Sequence, residues 1–122
     1  MPRQPSKTFT DRELEIMRVV WRLGEASARQ IQENLAGERH YNSVMTIIRV
    51  LERKGHLTHR EAGRAYIYKA AVHPEKARTR VLKHLVKQVF GGSATSLVLN
   101  LVETGELTAA DLDTIRRKMK GP

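Results

Sequence analysis

Apolar residues recur along this chain with a helical period, briefly with the two-residue period of strands, and then with a helical period again. Leu14, Met17, Val20 and Trp21 form the first stripe. It opens at Thr10-Asp11-Arg12-Glu13, a hydroxyl three residues ahead of a carboxylate, which is the form of a capping box, and it closes near Gly24. A second capping box, Ser27-Ala28-Arg29-Gln30, predicts a short helix with Ile31 and Leu35 inward and Gly37 at its end. A third helix is predicted from Tyr41 to Lys54, with Val44, Ile47, Ile48 and Leu51 on its buried face and Gly55 as a left-handed cap. After Gly55 the period changes. His56 to Arg60 and Ala65 to Ala70 read as two short strands, joined by a hairpin tip at Glu61-Ala62-Gly63-Arg64.

Val72-His73-Pro74 marks a boundary, because the residue before a proline is pushed out of helical geometry. A long helix follows from Pro74 to Phe90, carrying Ala77, Val81, Leu82, Leu85, Val86 and Val89, and Gly91-Gly92 breaks it. Ser93 caps a fifth helix with Leu97, Val98, Leu101 and Val102. Thr108-Ala109-Ala110-Asp111 caps a sixth with Leu112, Ile115 and Met119. The fold class expected is mainly α with a small β-hairpin: a winged helix-turn-helix domain over 10–72, then a three-helix region over 73–122. Residues 1–9, polar with two prolines, are expected to be a disordered arm. The last three helices expose a broad apolar stripe that no remaining element covers, and such a short segment is marginal alone. Val81, Leu85, Val89, Leu97, Leu101, Leu112, Ile115 and Met119 are therefore expected to pair with a second copy as a two-fold homodimer.

Charge sharpens this picture. The chain of 122 residues carries 22 Lys and Arg against 13 Asp and Glu, a formal net charge of +9. An excess of that size points to a polyanionic partner. From Arg39 to Lys69 there are seven cations (Arg39, Arg49, Arg53, Lys54, Arg60, Arg64, Lys69) against Glu52 and Glu61. That stretch coincides with the third helix and the hairpin. The helix's outward face adds Asn42, Ser43, Met45 and Thr46, short enough near the N-terminal end to reach base edges in a major groove. Arg49 and Arg53 follow for phosphates, with Arg39 ahead of the helix, Arg60 on the first strand and Arg64 at the wing tip. Tyr41 opens the helix and is open to either contact or packing. Lys76, Arg78, Arg80, Lys83 and Lys87 are either solvated or face DNA from behind the wing. Arg116, Arg117, Lys118 and Lys120 complement a helix C-terminus.

Enzyme chemistry is not visible. Cysteine is absent, which excludes a disulfide framework and a cysteine nucleophile. His40, His56, His59, His73 and His84 stand in no metal-ligand spacing, and neither a phosphate loop nor a nucleophile elbow is present. No catalytic residue, metal or cofactor is expected. Trp21, Tyr66 and Tyr68 are expected to pack. With no apolar run near the roughly 18 residues a membrane span needs, and no apolar signal core in the first ten residues, a soluble cytoplasmic protein is expected.

Particular residues also carry a resemblance. Glu13-Leu14-Glu15-Ile16-Met17-Arg18-Val19-Val20-Trp21 resembles the first-helix signature of the penicillinase-repressor family of bacterial transcription regulators. Tyr41-Asn42-Ser43-Val44-Met45-Thr46, continuing to Gly55, is similar to that family's recognition helix, which commonly reads Tyr-Thr-Thr-Val-Met-Thr; Asn42 and Ser43 stand where two threonines are frequent. Gly91-Gly92 followed by Ser96-Leu97-Val98-Leu99-Asn100-Leu101 is similar to the C-terminal segment of the β-lactam-responsive members. The resemblance implies a homodimeric repressor on an inverted repeat in double-stranded operator DNA, with TACA and TGTA cores. It also implies relief of repression by cleavage within a Leu-Val-Leu-Asn-Phe stretch, under a membrane sensor with a zinc-protease domain. The matching bond here is Asn100–Leu101, with leucine in place of phenylalanine. Two other readings remain: a winged protein-interaction adaptor, and a repressor answering a small molecule without cleavage.

Overall fold

A computed structural model describes residues 9–121, and the expected arm apart from Phe9 lies outside them. The element order is α1 (Asp11–Leu23), β1 (Glu25–Ser27), α2 (Ala28–Glu33), α3 (Tyr41–Arg53), β2 (Leu57–Ala62), β3 (Ala65–Ala70), α4 (Pro74–Val89), α5 (Ala94–Glu103) and α6 (Ala109–Met119). Local chemistry explains most of the boundaries. Thr10 and Glu13 form a reciprocal capping box on α1, as Ser27 and Gln30 do on α2 and Thr108 and Asp111 on α6. At the end of α3 the Gly55 N–H donates to the Glu52 carbonyl and the His56 N–H to the Leu51 carbonyl. This is a Schellman closure, and it needs the positive φ of 86° that Gly55 supplies.

Several expectations are corrected. The sheet has three strands, in the order β1-β3-β2, because Glu25–Ser27 pairs antiparallel with Ile67–Lys69. Helix α2 ends at Glu33 rather than near Gly37: Asn34 is its C-cap, its side-chain amide donates to the Gln30 carbonyl at 2.8 Å, and the Leu35 N–H closes a tighter turn onto the Gln32 carbonyl. Strand β2 starts and ends later than expected, at Leu57 and Ala62, and the hairpin tip shrinks to Gly63-Arg64. Gly63 has φ +65° and Arg64 is not positive, the tight two-residue turn with glycine first. Phe9 belongs to the core and not to an arm. Its ring lies 4.4 Å from that of His56 and meets Trp21 edge-on at 6.3 Å.

The chain forms two compact units, dividing at Val81–Leu82 inside α4, further along than the 72/73 boundary expected from Pro74. The first unit is built on Ile16, Met17, Val20, Ala26, Ile31, Val44, Ile48, Leu51, Leu57 and Tyr68, all buried. Leu14 and Trp21, expected inward, are half-buried, and the Trp21 indole N–H donates to the Val72 carbonyl at 3.0 Å. Glu13 is the one acidic group in this core among the described residues, only 3% exposed. Lys54 Nζ holds its two carboxylate oxygens at 3.0 and 2.8 Å, and the Thr10 N–H donates at 2.8 Å. Burial alone pushes the Glu13 carboxyl up, but the Lys54 and Thr10 contacts outweigh it and hold it below the ordinary range. One pair thus ties the start of α1 to the end of α3.

In the second unit, α5 and α6 contain no buried residue, although their turns are well capped. Leu82, Leu85, Val89, Val98, Leu99, Val102, Ile115 and Met119 are exposed in the single chain. Among the described residues no single helix is long and apolar enough to cross a membrane.

Candidate nucleic-acid interface

Helix α3 separates its residues by face. Val44, Ile48 and Leu51 are buried, while Tyr41, Asn42, Ser43, Thr46, Arg49 and Arg53 are exposed or half-exposed. Met45 is half-buried and packs against the core, so it supports that surface more than it extends it. The Thr46 hydroxyl donates to the Asn42 carbonyl at 2.9 Å. Its remaining hydrogen-bonding capacity is as an acceptor, which suits an exocyclic amine of adenine or cytosine on a major-groove edge.

The cations divide into two kinds. Arg39 and Arg60 are engaged within the chain: Arg39 Nη2 bonds Glu15 Oε2 at 2.7 Å, and Arg60 Nη2 bonds Glu25 Oε2 at 2.8 Å. Arg39 Nε also donates to the Ala36 carbonyl, and Gln32 donates to the Arg39 carbonyl at 2.7 Å. Together these contacts fix the segment that leads into α3. The Arg60 guanidinium holds the exposed Glu25 carboxyl below its ordinary range. Among the described residues the ion pairs include none at Arg49, Arg53 or Arg64. Those guanidiniums are available to a phosphate.

The wing is fastened to α3 through a contact that the charge pattern does not reveal. His59 Nδ1 lies 2.6 Å from Glu52 Oε2, and its ring stacks on Tyr66 at 4.3 Å with 24° between planes. Glu52 is thereby held by the wing. Tyr66, expected to pack in the core, is 47% exposed on the wing, whereas Tyr68 on the same strand face is buried, and burial pushes its phenol up. Tyr41 is exposed, with the Arg29 guanidinium 5.7 Å from its ring centroid. In the sequence Arg29 has no role beyond its place in a capping box.

Further along, Asn100 and Leu101 lie in the last turns of α5. Thr104 donates to the Asn100 carbonyl from its N–H at 3.0 Å and from its hydroxyl at 2.9 Å. The N–H groups of Glu106 and Leu107 cap the Leu101 carbonyl at 2.9 and 3.1 Å. Of the expected pairing residues, Val81, Leu97, Leu101 and Leu112 are half-buried in the single chain and Leu85, Val89, Ile115 and Met119 are exposed, Met119 at 81%.

The penicillinase repressor family profile matches residues 9–121, nearly the whole chain. The chain belongs to the penicillinase repressor family. That is a family of transcriptional repressors and not of enzymes. The methicillin resistance regulatory protein MecI of Mammaliicoccus sciuri is 27% identical over 115 residues, 91% of this chain and 94% of its own length. The penicillinase repressor of Bacillus licheniformis is 25% identical over 110 residues, 88% of this chain and 85% of its own. The solution structure of the DNA-binding domain of the repressor BlaI superposes with a TM-score of 0.53 at 24% identity, covering 62% of this chain and 93% of that one. A second solution structure, Bacillus licheniformis BlaI in monomeric form with the blaP half-operator, gives 0.51 at 24% identity over the same shares. These likenesses establish the winged-helix fold of the first unit. The family match spans both units.

Proposed function

We propose that this penicillinase repressor relative binds operator DNA as a homodimer, reading an inverted repeat, and is released when its dimerisation region is cut at Asn100–Leu101. The observation that carries the DNA reading is the outward face of α3: Asn42, Ser43 and Thr46 beside Arg49 and Arg53, with no ion pair engaging either arginine among the described residues. Short polar groups flanked by cations match the division between base reading and phosphate holding. The BlaI complex supports one winged unit per half-operator in that relative.

Two copies then reach an inverted repeat, and the second half-site encounter becomes effectively intramolecular. The exposed apolar residues of α4, α5 and α6 supply the surface that a second copy would cover. A cut at Asn100–Leu101 divides α5 and detaches Leu112, Ile115 and Met119, turning a covalent event into a loss of avidity. Such a cut suits a membrane-sensor zinc protease as the upstream partner. Titrating Arg49→Ala and Thr46→Ala on duplexes with TACA and TGTA half-sites, and on scrambled duplexes, tests the DNA reading. Each should lose about 1–3 kcal/mol on the half-site duplex. Wild-type affinity for both variants on both duplexes would overturn it.

A further inference from the structure

A groove of about 500 Å³ opens on the flank of α3 that faces the wing, lined by Ser27, Arg29, Tyr41, Met45, Arg64 and Tyr66 among others. It lies wholly within the first unit. Two guanidiniums line it and no carboxylate does. Three elements converge there, each for its own reason: Arg29 on α2, Tyr41 at the start of α3, and Arg64 in the two-residue turn after Gly63.

Resting on the DNA reading above, we propose that this groove seats a backbone phosphate of the DNA, held between Arg29 and Arg64, and that Arg29 is a positioning residue for the recognition helix. A helix lying in a major groove about 12 Å wide has a sugar-phosphate backbone along each flank. The base-reading residues of α3 point outward, so the groove beside Tyr41 and Met45 falls where one of those backbones runs. Arg29 is exposed and forms no ion pair among the described residues; instead its guanidinium stands 5.7 Å over the Tyr41 ring. Cation–π contact restrains a side chain that would otherwise lose rotamer freedom on binding, and it leaves the guanidinium's donor edge unspent. A planar guanidinium presents two parallel donors to two phosphate oxygens, and two guanidiniums offset the phosphate's charge from both sides. Such a contact reads no sequence. It fixes the depth and register at which Asn42, Ser43 and Thr46 meet base edges.

The test compares full-length wild type, Arg29→Gln, Arg64→Gln and the double variant on a scrambled duplex of about 24 base pairs, a little over two helical turns. Because a phosphate contact is blind to sequence, Arg29→Gln should weaken binding about tenfold on scrambled and half-site duplexes alike. It should also flatten the dependence of log affinity on log salt by about 0.9 for each phosphate no longer neutralised. Arg29→Lys should keep most of the salt slope. If one phosphate is shared, the double variant should be weaker than either single variant by much less than the product of their losses. Wild-type affinity and slope for Arg29→Gln would overturn the proposal, as would losses that simply multiply. Thr46→Ala and Arg49→Ala in the same titration keep the two claims apart. If they fail on the half-site duplex while Arg29→Gln does not, the groove alone is refuted; if all three match wild type, the DNA reading goes with it. Arg29 is exposed, so an unchanged thermal melt for Arg29→Gln ties any weakening to DNA contact and not to folding.

Discussion

The two units of this chain solve the problem of apolar surface in opposite ways. The first, through Val81, closes its helices and sheet around Ile16, Met17, Ile48, Leu51 and Leu57, all essentially inaccessible, and seals Glu13 in with Lys54. The second, from Leu82, has equally well-formed helix caps but buries nothing in α5 or α6. Good local geometry is therefore not what separates them; depth of burial is. A helix stripe that stays exposed in one chain is a stripe left for another surface, whereas the first unit needs no partner to complete its core.

The contrast is broken most strongly by Leu85→Asp, an exposed position on α4. Only the 38% of Leu85 still exposed remains to be covered, worth about 0.5–1 kcal/mol per copy. An unpaired carboxylate in that surface costs more, and two-fold symmetry counts both twice, so the proposed dimer should weaken by about 3–6 kcal/mol. Sedimentation velocity checks this, while the melt of the first unit stays as in wild type. Ile48→Ala should do the reverse, costing the first unit about 2–5 kcal/mol in denaturant unfolding through the cavity it leaves.

Glu13→Gln is smaller, about 1–3 kcal/mol, because a buried acceptor and the Lys54 ammonium lose their match. It also sharpens the acid limb of stability. The folded Glu13 carboxyl titrates below its ordinary 4.5, so its contribution is fully present above that value and is lost as pH falls through the lower, folded one. Urea midpoints measured from pH 7 downward should fall for wild type and fall less for the variant. Smallest is Thr104→Val, which removes the hydroxyl bond to the Asn100 carbonyl. Loss of about 0.5–1.5 kcal/mol in that turn should speed cutting at Asn100–Leu101 by roughly two- to tenfold, read with a zinc endoprotease that cuts ahead of large apolar residues.

What the sequence shows of this molecule is what is local. The capping boxes at Thr10, Ser27 and Thr108, the Gly55 closure and the two faces of α3 all follow from residues within a few positions of one another. The third strand does not: Glu25–Ser27 is too short to show a period, and its partner Ile67–Lys69 lies some forty residues away. Nor do the fates of the cations. Arg39 and Arg60 read as phosphate ligands from their place in the chain, but Glu15 and Glu25 reach them across 24 and 35 positions. Tyr66 shares a strand face with Tyr68 and differs only in being nearer the wing tip, where no core exists to receive it. Arg29 becomes interesting only when α2, α3 and the wing meet.

The division of labour between the units is tested most directly by one titration. Leu85→Asp and wild type are compared on a half-site inverted repeat, with the oligomeric state of each recorded at the same protein concentration. The variant should sediment as a single chain, melt like wild type in its first unit, and bind at least about a hundredfold more weakly, the scale of avidity that disappears when a linked second site is removed. A single-chain variant that binds the repeat as tightly as wild type would contradict the account.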